Sequence, residues 1–258
     1  EAGNPNGEGA SIFELDLKPA QLGDVAWDPS RERFLVGTRN DGRILAVNDS
    51  GKAELLLQAD AKNGLWSIDG LAVDTVQQRL WVASSATPDF EQVRQVDLNR
   101  GALFGLDLES LEVVERYDIP DNRLRHSLGS IAVTDTGEVY VIDRATPMIY
   151  RKPGSGDRLQ AFAGGSQLVA LTDIAVAPDN SRLFVADAVM GILLIDPARH
   201  RSAMLDGPES LNLSGIYGID FVGKELVITQ SGISPQRILR LELNQDGEFA
   251  FHKSVCPK

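Results

Sequence analysis

The chain has 258 residues, 43% of them hydrophobic, and a formal charge of −12 from 37 acidic against 25 basic side chains. That charge repels the phosphates of nucleic acid and fits a small-molecule ligand that is neutral or cationic, or bound metal ions. A lone cysteine, Cys256, excludes a disulfide framework or thiolate cluster, and no apolar run reaches the ~20 residues of a membrane span.

The first ten residues, EAGNPNGEGA, are rich in Gly, Asn and Glu and read as a flexible lead-in over 1–10. They begin without Met, as a mature chain does after signal-peptide removal, which gives the expectation of a secreted or periplasmic protein. SIFELDL follows as a candidate strand that would help close the fold by pairing with the other end of the chain.

From Leu22 onward one phrase recurs five times: LGDVAWD, IDGLAVD, LGSIAVT, LTDIAVA and IYGIDFV. Counted from Asp24, Asp69, Ser130, Asp173 and Tyr217, the copies lie 45, 61, 43 and 44 residues apart. Each copy is followed by a turn rich in Asp, Pro, Gly or Asn and then a second apolar run: RFLVGTR, RLWVASS, EVYVIDR, RLFVADA and ELVITQS. Third strands (GRILAVN, ALFGLDL, PMIYRK, GILLID, RILRLEL) alternate apolar and polar residues, and a fainter fourth strand closes each unit. Four short strands per unit at a near-constant period predict an all-β fold, a β-propeller of four-stranded blades in a single domain over 11–258. The long second interval places an insertion of roughly 17 residues, about Ser85 to Arg100, between the second and third strands of its blade. Loops there wall or lid the mouth of a propeller channel.

First-strand starts and second-strand ends converge at one end of such a channel. That places Asp24, Asp69, Ser130, Asp173 and Tyr217 on one ring, with Arg39, Ser84, Asp143, Asp187 and Gln230 beside them across each ladder. A ring this rich in carboxylates relieves its repulsion by binding a hard cation, by pairing with Arg39 and Arg144, or by taking up protons. Two readings follow. In one, Asp24, Asp69, Ser130 and Asp173 hold a divalent ion, Ca²⁺ before Mg²⁺, Mn²⁺ or Zn²⁺, while Asp24, Asp173 or His126 activates water. In the other, each Asp caps backbone N–H groups between blades and the propeller is a non-catalytic ligand- or protein-binding module. Asp143 and Asp187 read as structural.

His126 lies just ahead of Leu128-Gly129-Ser130 and has the chemistry of a base or ligand; a solvent-facing loop histidine is the plainer alternative. Trp66 is expected to wall the mouth, with Arg39, Ser84, Arg144, Tyr217 and Gln230 contacting a ligand. Trp27 and Trp81 are expected in the core. His200 and His252 fall at the periphery, and no GxSxG elbow, P-loop or dinucleotide fingerprint occurs.

The phrases IDGLAVD…RLWVASS and LTDIAVA…RLFVADA, the segment ATPDF…LNRGALFGLDLESLEV and the late ITQSGISPQRILRLEL resemble the gluconolactonase / senescence-marker-protein (regucalcin-like) superfamily, in the form of its bacterial secreted members. The resemblance covers most of Leu22 to Leu243. It implies six blades where five repeats are visible, one divalent ion on the channel axis, and metal-assisted hydrolysis of a lactone or small ester. Orthodox members carry a Glu in the first phrase where this chain has Gly23, followed by Asp24. They carry Asn-based ligands where this chain has Gly129-Ser130 and Thr172-Asp173.

Overall fold

The computed structural model describes Leu15 and residues 20–120, 122–209, 211–244 and 246–257, the last six of them by backbone alone. The expected lead-in and the strand read from SIFELDL, apart from Leu15, lie outside the described residues, as do the side chains of His252 and Cys256. Two compact units divide the chain, one within Ile12–Ala163 and the other within Gly164–Lys258.

The first unit holds three antiparallel four-stranded sheets. These are β1 to β4 (Leu22–Asp28, Arg33–Thr38, Arg43–Val47, Ala53–Gln58), β5 to β8 (Ser67–Asp74, Arg79–Ser85, Gly101–Asp107, Val113–Asp118) and β9 to β12 (Leu128–Val133, Val139–Asp143, Met148–Lys152, Gln160–Gly164). The second unit holds two, β13 to β16 (Leu171–Val176, Leu183–Asp187, Gly191–Asp196, Arg201–Met204) and β17 to β20 (Ile216–Val222, Glu225–Gln230, Arg237–Leu243, Ala250–Pro257). In every sheet the strands pair in sequence order, as the repeats predict, and no helix occurs among the described residues. The chain is an all-β protein of propeller blades.

Burial follows the alternation of each strand. Facing sheets of the first unit share a core built on Leu35, Ile44, Ile68, Val82 and Phe104, and a second on Trp81, Leu103, Leu128 and Val141. In the second unit Phe184, Ile192, Ile216, Ile228 and Leu241 do the same. Trp81 is fully buried, as expected. Trp27 is not: it is 47% exposed and leans on Phe34 with ring centroids 4.8 Å apart. On the face of β1–β3 turned away from β5, Leu15 packs over Val36, Leu45 and Val47.

Every first strand carries a β-bulge at the recurrent phrase. Leu22 pairs with Thr38 and Val25 with Val36; Ile68 with Ser84 and Gly70 with Ala83; Leu128 with Asp143 and Ile131 with Val141. The second unit repeats the step: Leu171 with Asp187 and Asp173 with Ala186; Ile216 with Gln230 and Gly218 with Thr229. One extra residue per first strand re-aims the side chains there and lets the neighbouring strand approach closely. A Cβ on Gly70 would stand 2.0 Å from the carbonyl oxygen of Gly129, so β5 and β9 touch through bare backbone.

In four of the five sheets a residue at or next to the end of the second strand ties down the segment that leads into that sheet's first strand. Asp143 Oδ1 accepts from the backbone N–H of Ser127, Ala145 and Thr146. Asp187 accepts from Val169, Ala170, Val189 and Met190 at 2.7–3.0 Å. Gln230 donates to the carbonyls of Asn212 and Ser214, and Ser84 Oγ accepts from Trp66 N–H. Both aspartates are structural, as expected. Burial by itself raises the Asp187 carboxyl, but its four backbone N–H donors outweigh that and hold it below the ordinary carboxylate range.

Two outcomes follow from this framework. Gly70→Ala is expected to destabilise the fold by about 1–3 kcal/mol in urea titrations, because β9 backbone must shift to admit the methyl group. Asp187→Asn is expected to cost about 1–3 kcal/mol near neutral pH. The depressed carboxyl stabilises the fold above the unfolded value of about 4 and loses that effect as pH falls through its folded value, so the gap to wild type should close in acid.

Candidate functional site

The bulge separates the expected ring of residues into two kinds. Asp24 and Asp173 stand third in their phrases, beside the bulge, and behave alike. Asp24 accepts from its own neighbour Val25 N–H at 2.8 Å and from Leu71 N–H of the next sheet at 3.0 Å. Asp173 accepts from Ile174 N–H at 2.8 Å and from Ile219 N–H of the next sheet at 2.7 Å. Each carboxylate thus joins one first strand to the next, the cap reading of the sequence. Burial pushes the Asp24 carboxyl above the ordinary range, against the pull of the Leu71 and Val25 N–H groups and of Arg144.

Asp69 and Tyr217 stand second in their phrases, at the extra residue, and point elsewhere. Asp69 is buried and takes two guanidinium groups on one oxygen: Arg39 Nε at 3.1 Å and Arg144 Nη1 at 3.4 Å. Ser67 Oγ donates to its other oxygen at 3.3 Å. Arg39 follows β2 and Arg144 follows β10, so three sheets of the first unit converge on one carboxylate. Gly129 makes room for this, because a Cβ there would stand 2.6 Å from Arg144 Cζ. Both arginine side chains remain more than a third exposed and carry the charge of the cluster to its surface.

The remaining expected ligand contacts are distributed differently. Ser130 is buried in β9 and Tyr217 is 55% exposed in the second unit. Ser84 and Gln230 are the strand-end ties already described. Thr172 Oγ1 donates to the carbonyls of Ala186 and Ile216. Trp66 is buried, and the Arg116 guanidinium lies over its ring at 5.1 Å. It lines a cleft of about 340 Å³ with Phe90, Arg94, Arg100 and Arg116.

These residues do not fit the divalent ion implied by the resemblance. Asp24 and Asp173 hold backbone donors through both oxygens, Asp69 faces two cations, and the family's Glu position is Gly23. Among the described residues no three His, Cys, Asp or Glu side chains gather as a metal site.

His126 differs most from the loop histidine that is the plainer reading. It is 6% exposed, with Nδ1 2.6 Å from Asp143 Oδ2 and Nε2 3.0 Å from Asn122 Oδ1. The Leu128–Asp143 pairing brings the two together: it seats the carboxylate beside the segment entering β9, one oxygen on Ser127 N–H and the other on the imidazole. Sequence reasoning treats Asp143 as structural alone and passes over Asn122; the 17-residue spacing of His126 and Asp143 carries no signal until the ladder register is known. The loop between β6 and β7, at the expected place of the insertion, packs beside this histidine. Phe90 is buried, Asp97 binds Arg94 and Arg100, and His126 N–H donates to the Asn99 carbonyl.

Compared as a sequence, the chain matches no described protein family and no curated protein. Compared as a structure, it is similar to several solved proteins at low identity. A nidogen/laminin complex aligns with TM-score 0.69 at 16% identity, over 95% of this chain and 82% of that one. A gluconolactonase from Xanthomonas campestris aligns with TM-score 0.64 at 19% identity, over 92% and 77%. A virginiamycin B lyase from Staphylococcus aureus, solved with quinupristin, aligns with TM-score 0.64 at 13% identity, over 94% and 72%. At these identities the likeness is one of fold, and the fold is the β-propeller.

Proposed function

We propose that this chain is a metal-independent, ligand-binding propeller of the gluconolactonase-like type, and that its ligand is a small organic carboxylate related to a lactone or ester. The observation that carries this reading is the Arg39–Asp69–Arg144 cluster. Two guanidinium groups share one buried carboxylate, so the three side chains together carry one net positive charge. The cluster is locally cationic on a chain whose formal charge is −12. Such a site repels a divalent cation and attracts a carboxylate, which guanidinium groups recognise through paired, charge-assisted hydrogen bonds. The gluconolactonase among the structural neighbours supports the choice of a sugar acid as the first ligand to try. The donor set around this cluster does not fit the divalent ion that metal-assisted hydrolysis would require.

Calorimetry and thermal melting of chelator-treated protein test the reading with two probes, gluconate and Ca²⁺. Saturable gluconate binding that raises Tm is expected, weakened about 10-fold or more in Arg39→Gln and in Arg144→Gln through loss of a charge-assisted contact. A saturable rise in Tm with Ca²⁺ and none with gluconate would overturn it.

A further inference from the structure

We infer that the cavity beside the β6–β7 loop binds an aliphatic carboxylate, with Arg100 receiving the charge and the apolar walls receiving the hydrocarbon chain. This site is separate from the Arg39–Asp69–Arg144 cluster and does not depend on it.

Arg100 is the surplus cation in an alternating ladder of arginines and aspartates. At one end Arg94 meets Asp97 through two nitrogens at 2.6 Å. At the other Arg116 meets Asp118 through two nitrogens at 2.7 and 3.0 Å. Arg100 stands between these pairs and touches each carboxylate at 3.3 Å. Three guanidinium groups against two carboxylates leave one positive charge. The shorter contacts belong to Arg94 and Arg116, so that charge is centred on Arg100, whose side chain is half exposed. A guanidinium carries more N–H groups than these two long contacts use, and its planar fork matches a further carboxylate.

The cavity that Arg100 borders has a volume of about 530 Å³, within the range of small-molecule sites. Val96, Leu98, Ile119, Pro120 and Leu124 give it aliphatic walls, and Arg123 adds a second guanidinium. Asp118 also lines it, but its carboxylate is the one gripped by Arg116. His126 and Asn122 are engaged within the protein: the imidazole meets Asp143 and Asn122 at 2.6 and 3.0 Å, and Asn122 Oδ1 also accepts from Leu124 N–H at 2.9 Å. The guanidinium groups are therefore left to orient a ligand. The same bonds fix the wall. Arg123 has φ 61°, a left-handed conformation that costs about 1 kcal/mol and persists only where its neighbours hold it. A wall held in this way needs little ordering when a ligand enters.

These surroundings select the ligand class. A polyhydroxy acid would press its hydroxyl groups against aliphatic walls that offer them no partner, while a hydrocarbon chain gains by leaving water there. A carboxylate at the end of that chain gives the surplus guanidinium a charge-assisted contact. The smaller cleft on the other side of Arg100 is less suited, because Arg100 and Arg116 already lie over its Trp66 ring at 5.8 and 5.1 Å.

Calorimetric titration of the full chain with octanoate, below its micelle-forming concentration and with octanol as the uncharged control, tests the proposal. Saturable octanoate binding is expected, about 10-fold or more weaker in Arg100→Gln. Leu124→Ser, which removes part of the wall at a half-exposed position, should weaken it about 5-fold. No saturable octanoate binding in wild type, octanol bound as tightly as octanoate, or equal binding in a cooperatively folded Arg100→Gln would each overturn it. Should Arg100→Gln fail to fold, methyl NMR shifts of the wild type on adding octanoate decide the matter. Shifts at Leu98, Ile119 and Leu124 are expected, and shifts that leave all three unmoved overturn the proposal. Octanoate binding is expected to survive in Arg39→Gln; its loss there, with Arg100→Gln unaffected, would assign octanoate to the other cluster and overturn this site. Absence of gluconate binding in wild type bears on the Arg39–Asp69–Arg144 reading alone.

Discussion

The close approach of neighbouring first strands governs the rest of this molecule. Two β-strands from different sheets have no ladder to share, so the N–H groups along their contact need another acceptor. The bulge supplies the geometry and an aspartate supplies the acceptor. Asp24 reaches Leu71, and Asp173 reaches Ile219, each across a contact where the next phrase has Gly70 or Gly218 in the same position. The glycines serve close packing around these contacts: a Cβ on Gly70 would strike the Gly129 carbonyl, and one on Gly218 the Thr229 hydroxyl.

That device determines what the remaining polar residues can do. A carboxylate engaged by two backbone donors is a poor ligand for a free ion, because coordination would strand those donors in a half-buried place. Asp69 escapes this role, since it stands at the extra residue of its bulge instead of beside it. It is released toward Arg39 and Arg144, and an acidic phrase becomes the centre of a cationic cluster. The difference between a carboxylate bound to backbone N–H groups and one paired with two arginines is a displacement of one residue along a strand.

The second-strand ends carry a parallel lesson. Ser84, Asp143, Asp187 and Gln230 all hold the segment before a first strand, and two of them reach a side chain as well, Gln230 accepting from Arg237 and Asp143 meeting His126. Asp187 gives both oxygens to backbone. Asp143 gives one oxygen to backbone and keeps the other for His126. The insertion between β6 and β7 then builds a cavity over that imidazole, with Arg100 and Leu98 from the loop itself.

Strands, turns and the five-fold repeat were legible in the sequence, because apolar periodicity and turn residues act over a few neighbours and need no knowledge of the fold. The cap role of the phrase aspartates was legible too, as one of two readings, since Asp at a strand start has few ways to satisfy itself. The bulge was not. A single extra residue leaves the hydrophobic pattern intact while shifting every cross-strand partner beyond it, so Asp24 and Asp69, both on the expected ring, end with different partners. Trp27 shows the same limit: its phrase matches the buried ones, and exposure depends on what covers the sheet. The meeting of Asp69 with Arg144, 75 residues on, and of His126 with Asp143 was decided by sheet packing and ladder register. Local sequence sets which residues are extended; only the tertiary structure sets which side chains meet, because those contacts are made between segments distant along the chain.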